Sequence, residues 1–187
     1  MTYIIFENKV NDPYVEQFKP NLTPRQIFKM GSFGGTYWRP IKSQITGKSH
    51  KNRHLKFKSL GWWDGIDDNL LTRPFDEYDK SLNKYKVKCG TTLEFWEDKN
   101  WINKSDPYGW VEWYCNFYTG RRSNDDERQI KRWLSFCGPK GRFKKRLINM
   151  IKKQDSTYDD ISISPVIRQS MQHWGYQLTE DDLKTEN

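Results

Sequence analysis

Long apolar runs are missing from this chain, and so is a charged-then-apolar leader at its N-terminus. Neither a membrane-spanning helix nor a secretory signal is therefore expected, which excludes a membrane partner and places the protein inside the cell, in the cytoplasm, nucleus or virion. Cysteine is also scarce. Cys89, Cys115 and Cys137 are odd in number and widely spaced, a pattern that suits reduced thiols and excludes a disulfide framework. The Asn-x-Ser/Thr sequences at Asn21 and Asn103 then have no glycosylation to report. With three histidines, no His-x-Glu and no Cys-x-x-Cys, the ligand set of a zinc deaminase or a zincin is lacking. Thr46-Gly47-Lys48-Ser49 has the tail of a phosphate-binding loop, but Lys42 stands where its first glycine belongs. His50 and His54 have metal-ligand spacing without the acid that a zinc helix needs, and read as a solvated basic loop.

What the chain does hold is rings and positive charge. Aromatic residues make up 16% of its 187 positions, with nine Trp, while the mean hydropathy is −1.00. A core must therefore be built largely from rings, and rings also stack on bases. The net charge is +8, yet residues 121–153 alone carry twelve Lys or Arg against three acids, and residues 36–60 carry seven and none. The rest of the chain is acidic. Charge concentrated into two blocks creates a surface field for an anion if the fold brings them together, and two solvated faces if it does not.

The stretch 106–153 reads as three helices. Asp106 is an N-cap candidate, Pro107 suits the first turn and Gly120 closes the helix, while Trp110, Trp113, Tyr114, Phe117 and Tyr118 repeat at the spacing of one face. Ser123 with Asp126 resembles a capping box for a second helix, which Gly138-Pro139 ends and which carries the stripe Ile130, Trp133, Leu134 and Cys137. The third runs over 140–153 with Phe143, Leu147, Met150 and Ile151 inward. Elsewhere, Tyr3–Glu7 reads as a strand, Thr23-Pro24 opens a short helix that ends at Met30-Gly31, and the glycine-rich 31–41 reads as a structural turn. The alternation over 84–99 predicts a β-hairpin turning near Cys89-Gly90. Ser164-Pro165 starts a helix that Gly175 closes, with His173 at its C-terminal end, and Thr179 with Asp182 caps a last turn. The expected fold is a single α+β domain with a small irregular β portion in the N-terminal half (1–105), a helical C-terminal half (106–178) and a short turn and frayed tail (179–187).

The function this pattern points to is nucleic-acid binding, to DNA or RNA, without a cofactor. Arg121, Arg122, Lys131, Arg132, Lys140, Arg142, Lys144, Lys145 and Arg146, with Arg53 and Lys56 from the other block, are the candidate phosphate contacts. Trp38 and Trp62, in glycine-flanked or basic loops, are the candidate stacking rings. Two alternatives stand beside it. Asp64, Asp67, Asp79 and Glu97, with Lys99, make a loose version of the carboxylate–lysine arrangement of metal-dependent nucleases, which would use Mg²⁺. A structural or virion protein would set the same basic face against a protein partner with an acidic surface.

The phrases SFGGTYWRPI, KCGTTLEFWE, DPYGWVEWYCNFYTGRRSNDDERQIKRW and SPVIRQSMQHWGYQL resemble a family of uncharacterised Trp-rich proteins associated with fungi, algae and large DNA viruses. The likeness covers most of the chain. It implies one compact domain of intracellular or viral origin and brings no functional residues with it.

Overall fold

Eight consecutive buried residues, Trp110 to Phe117, make one helix the axis of the molecule. The computed structural model describes residues 13–184. The expected strand at Tyr3–Glu7 lies outside them. In chain order the elements are α1 (Pro13–Gln17), α2 (Pro24–Lys29), β1 (Ile41–Lys42), β2 (Ser49–His50), a 3-10 helix (Arg53–Leu60), α3 (Asn69–Thr72), two single 3-10 turns (Phe75–Glu77, Lys80–Leu82), α4 (Leu93–Asp98), α5 (Trp110–Tyr118), α6 (Asp126–Cys137), α7 (Arg142–Lys153), α8 (Pro165–His173) and α9 (Glu180–Lys184). Among the described residues the fold is mostly helical with one two-stranded antiparallel sheet, in which Ile41 pairs with His50 and Lys42 with Ser49. No helix among the described residues is long and apolar enough to cross a membrane.

A helix apolar on every side must be enclosed. α5 is wrapped by α2 and α6, and α6 in turn packs on α1 and α7. Phe18, just past α1, is the hub of the ring core, with its centroid 5.2–6.4 Å from those of Trp110, Trp113, Tyr114, Phe117 and Trp133. The polar residues trapped on α5 are paired, as burial requires. Glu112 forms a very short ion pair with Arg53 and accepts from the Tyr108 backbone N–H at 3.0 Å. Asn116 donates to Asp106 at 2.6 Å. Burial raises the Glu112 pKa, with Arg53 opposing it.

That pairing moves the start of α5. Asp106 is buried and serves as acceptor for Asn116 and Arg121, so the N-cap position passes to Gly109 at φ +84°. A Cβ there would come within 2.9 Å of Ile102 Cδ1, and the left-handed φ adds strain for any other residue. Ser123 and Asp126 do meet, through the Ser123 backbone N–H and hydroxyl, although α6 opens only at Asp126. The expected helices at Thr23, over 140–153, at Ser164-Pro165 and after Thr179 are all present, the second of them opening at Arg142.

The expected hairpin over 84–99 is not formed. Residues 86–92 have no regular structure, and Thr92 accepts from Phe95 N–H to start α4. The alternation there comes from lysines, which need no sheet partner, whereas Thr92, Leu93 and Glu97 form a capped helical turn with its inner face buried. His54 also departs from expectation. It is buried in the 3-10 helix, with its ring 6.5 Å from Trp38 and 6.4 Å from Trp63, because the basic segment turns its rings inward and its lysines outward.

Candidate functional site

Where α5 begins, α6 turns its polar face outward and α8 ends, the structure leaves a cleft of about 780 Å³. Its construction starts with α6. Ile130, Trp133 and Cys137 bury one side of that helix, so Arg128, Lys131, Arg132 and Ser135, at i, i+3, i+4 and i+7, line the cleft from the other. Facing them are rings. Phe143 of α7 stacks on Phe136 at 3.8 Å, Phe136 on Trp174 at 5.1 Å, and Trp174 lies 4.7 Å from Trp110, a continuous aromatic wall. The Trp174 carbonyl accepts from Trp133 Nε1 at 2.8 Å, which fixes the wall to the core. Trp96 and Trp101 line the cleft from the segment containing α4, and Trp101 is 38% exposed. Trp96 Nε1 donates to Thr91 Oγ1, and the Trp110 indole N–H is buried without an acceptor among the described residues.

Among the described residues, four cations and no carboxylate line this cleft. Two of the four are matched nearby, Arg128 by Asp125 and Lys131 by Glu127. Arg132 and Arg142 have no carboxylate within ion-pair distance among the described residues. The Arg132 guanidinium sits 5.1 Å from the Trp101 ring centre and 5.3 Å from that of Trp174, and donates to Trp101 O and Gln129 Oε1. Burial, helped by the neighbouring Arg128, pushes its pKa down to about 10. Arg142 lies 5.1 Å from the Phe143 ring centre.

His173, on one wall, stacks on Phe33 at 4.3 Å and donates from Nε2 to the Ser32 carbonyl at 2.6 Å. Cys89 Sγ lies 3.7 and 3.8 Å from its two ring nitrogens. This is not a poised thiol–imidazole couple. Near-equal distances take the sulfur off the axis of either nitrogen, and burial pushes the thiol up to about 11 and the imidazole down to about 4, so both stay neutral. The imidazole does set a pH dependence. Its folded pKa lies below the ordinary 6.5, so the folded state binds fewer protons than the unfolded chain between those values. Stability is complete above pH 6.5 and falls as pH drops towards 4, by up to about 3 kcal/mol. In melts at stepped pH, His173→Gln, which keeps a donor for Ser32, is expected to flatten that part of the acid limb. An unchanged limb would refute the assignment to His173.

The other nominated cations divide by partner. Lys140, Lys145 and Arg146 are exposed on or beside α7. Lys144 is buried, 2.5 Å from Asp182 and 3.0 Å from the Tyr176 hydroxyl, and ties α7 to α9 instead of facing solvent. Arg121 grips both oxygens of Asp106, and Arg122 donates to Phe117 O with its guanidinium 3.9 Å from the Phe117 ring centre. Arg53 and Lys56 converge on Glu112, so the two basic blocks meet around the buried acids Glu112 and Asp106. Trp38 is 0% and Trp62 8% exposed, both packed against Phe57. Neither ring has a face to offer a base. A glycine-flanked or basic loop does not imply exposure when the core itself is made of rings.

The nominated acids are held apart by their own tasks. Asp64 is exposed in a turn, Asp67 accepts from Asn69 N–H, and Asp79 accepts from Ser81 beside Arg73. Glu97 is buried, and its Oε1 accepts from Ser43 Oγ and Gln44 N–H, bracing the β1–β2 turn, while Lys99 lies just past α4 with its ammonium over Phe95. Among the described residues no three His, Cys, Asp or Glu are grouped to hold a metal. Trp96, Trp101, Trp174 and Arg128 escaped nomination from the sequence. The polar i, i+3, i+4, i+7 face of α6 was the available signal for Arg128, and the three indoles had none.

Comparison with protein-family models, curated proteins and solved structures gives no significant match.

Proposed function

We propose that the protein binds nucleic acid, with unpaired bases entering the aromatic cleft and backbone phosphates meeting the cations of α6 and α7. The observation that carries this reading is the lining of the cleft, which among the described residues joins rings to four cations and no acid. Aromatic faces accept any base by stacking, and Lys and Arg neutralise phosphates without reading sequence. Lys140, Lys145 and Arg146 extend the positive field beyond the cleft. In this reading the labour divides along the chain. The irregular N-terminal half supplies Phe33, Trp96 and Trp101, and the helical C-terminal half supplies the cations. An intracellular setting, with reduced thiols, and kinship with the Trp-rich family of fungi, algae and large DNA viruses belong to the same proposal. Single strands are the favoured ligand, because a duplex keeps its bases stacked on one another and away from a recessed wall.

The test is a titration of single-stranded and duplex DNA and RNA at stepped salt. Single strands are expected to bind more tightly, and log affinity to fall with log salt with a slope of about −2 to −4, since each neutralised phosphate of a single strand contributes about −0.7. A slope near zero, or equal affinity for duplex, would overturn the proposal. A salt-resistant complex with an acidic protein and no nucleic-acid affinity would transfer the basic face to that partner.

A further inference from the structure

Arg132 presents a problem that no described residue around it resolves. Its guanidinium is half-buried between two indoles, its pKa is depressed, and its hydrogen bonds go to neutral oxygens. A buried charge is unfavourable unless an opposite charge meets it, and among the described residues none does. Arg128 and Lys131 on the same wall are satisfied by Asp125 and Glu127, whereas Arg142, exposed at the N-terminal end of α7 and lying over the Phe143 ring, likewise has no carboxylate within ion-pair distance among the described residues. Two unmatched guanidiniums in a ring-lined cleft describe a ligand that is anionic and planar at once.

The ring wall narrows the class. Aromatic cages also hold quaternary ammonium groups, but such a cage works through ring faces free to receive a cation, and here two of those faces already carry arginines that would repel it. A purely apolar ligand would leave Arg132 unmatched. An anion without a ring would leave the stacked faces of Trp174, Phe136 and Phe143 unused. The cleft volume lies within the roughly 300–1,000 Å³ of small-molecule sites, and the hydroxyls of Thr91 and Ser170 on its walls can meet the polar edge of a ring.

From these features we infer that the cleft is a discrete site for a single nucleotide, with its base against the aromatic wall and its phosphate held by Arg132 and Arg142. This deepens the nucleic-acid reading and rests on it only for the choice of a phosphorylated nucleoside among planar anions. It adds that the cleft recognises one nucleotide by itself, free or at a strand end, without help from the cations outside it. Arg is suited to the role because its fork grips phosphate oxygens while its flat face stays on an indole, which a lysine ammonium cannot do.

The experiment uses the full chain and follows tryptophan fluorescence and heat of binding with adenosine and uridine 5′-monophosphates, the two nucleosides, inorganic phosphate and choline. The nucleotides are expected to quench saturably, the nucleosides and phosphate to bind at least about tenfold more weakly, and choline not to compete. Arg132→Gln is expected to weaken nucleotide binding by about tenfold or more, with Arg132→Lys recovering little of it. Should Arg132→Gln fail to fold, Arg142→Gln, at an exposed position, makes the same test with a smaller loss. Equal affinity for nucleoside and nucleotide, or nucleotide affinity unchanged in both variants, would overturn the site. If oligonucleotides bind with a steep salt dependence but mononucleotides neither bind nor compete, the single-nucleotide site falls and the nucleic-acid reading stands. If mononucleotides bind and no polynucleotide does, the site stands and the nucleic-acid reading falls.

Discussion

Trp113→Ala is expected to cost about 3–5 kcal/mol, a large part of the roughly 5–15 kcal/mol that holds an ordinary domain folded. Trp113 is wholly buried at the centre of α5, with its ring 4.9 Å from Phe117, 5.6 Å from Phe18 and 5.7 Å from Trp110. Its removal leaves a cavity bounded by rings that cannot collapse far, because Phe18 is held at the same time by four other aromatic neighbours. The indole N–H also donates to Asp126 Oδ1 at 2.8 Å, which links the axis helix to the start of α6. Trp113→Phe separates the two contributions. It keeps most of the ring contact and loses the donor, so a denaturant melt should place it between wild type and the alanine variant. A loss below about 1 kcal/mol for Trp113→Ala would mean that α5 is not the axis of the core.

Arg121→Ala is the second large effect, about 3 kcal/mol of stability. Asp106 is buried, and Arg121 supplies its only cation within ion-pair distance among the described residues. Without it the carboxylate keeps Asn116 as a donor but loses its counter-charge, and the turn that delivers the chain into α5 loses its anchor. Lys145→Ala and Arg146→Ala, at exposed positions of α7, are expected to stay within about 0.5 kcal/mol of wild type while weakening nucleic-acid binding. The contrast separates a structural arginine from surface cations within one basic block. An Arg121→Ala variant that melts like wild type would return Arg121 to the phosphate contacts.

Helices α2 and α5 to α9 were legible because their signals are local. Thr23 and Thr179 stand ahead of helices, the glycines at 120 and 175 lie beyond helix ends, and α5 repeats its rings at helical spacing. Thr92 was overlooked because the lysine alternation before it resembles a strand, and alternation does not tell a half-buried strand from an exposed loop. The fates of Lys144 and Arg121 were not legible, since their partners, Asp182 and Asp106, lie 38 and 15 residues away and a pairing of that kind is fixed by tertiary contact. The rings posed the same difficulty. Trp38 and Trp101 both sit in irregular segments, yet one is enclosed by Phe28, Tyr37, Phe57 and Tyr108 and the other lines the cleft. Only the arrangement of the surrounding elements distinguishes them.

The central claim is that bases enter the aromatic cleft, and the most direct measurement follows the nine tryptophan indole N–H resonances in ¹⁵N-labelled protein as a short single-stranded oligonucleotide is added. The resonances of Trp96, Trp101, Trp110 and Trp174 are expected to move with a common saturation, while those of Trp38, Trp62 and Trp113, enclosed in the core, stay in place. Saturable binding that leaves the four cleft indoles unmoved would contradict the account.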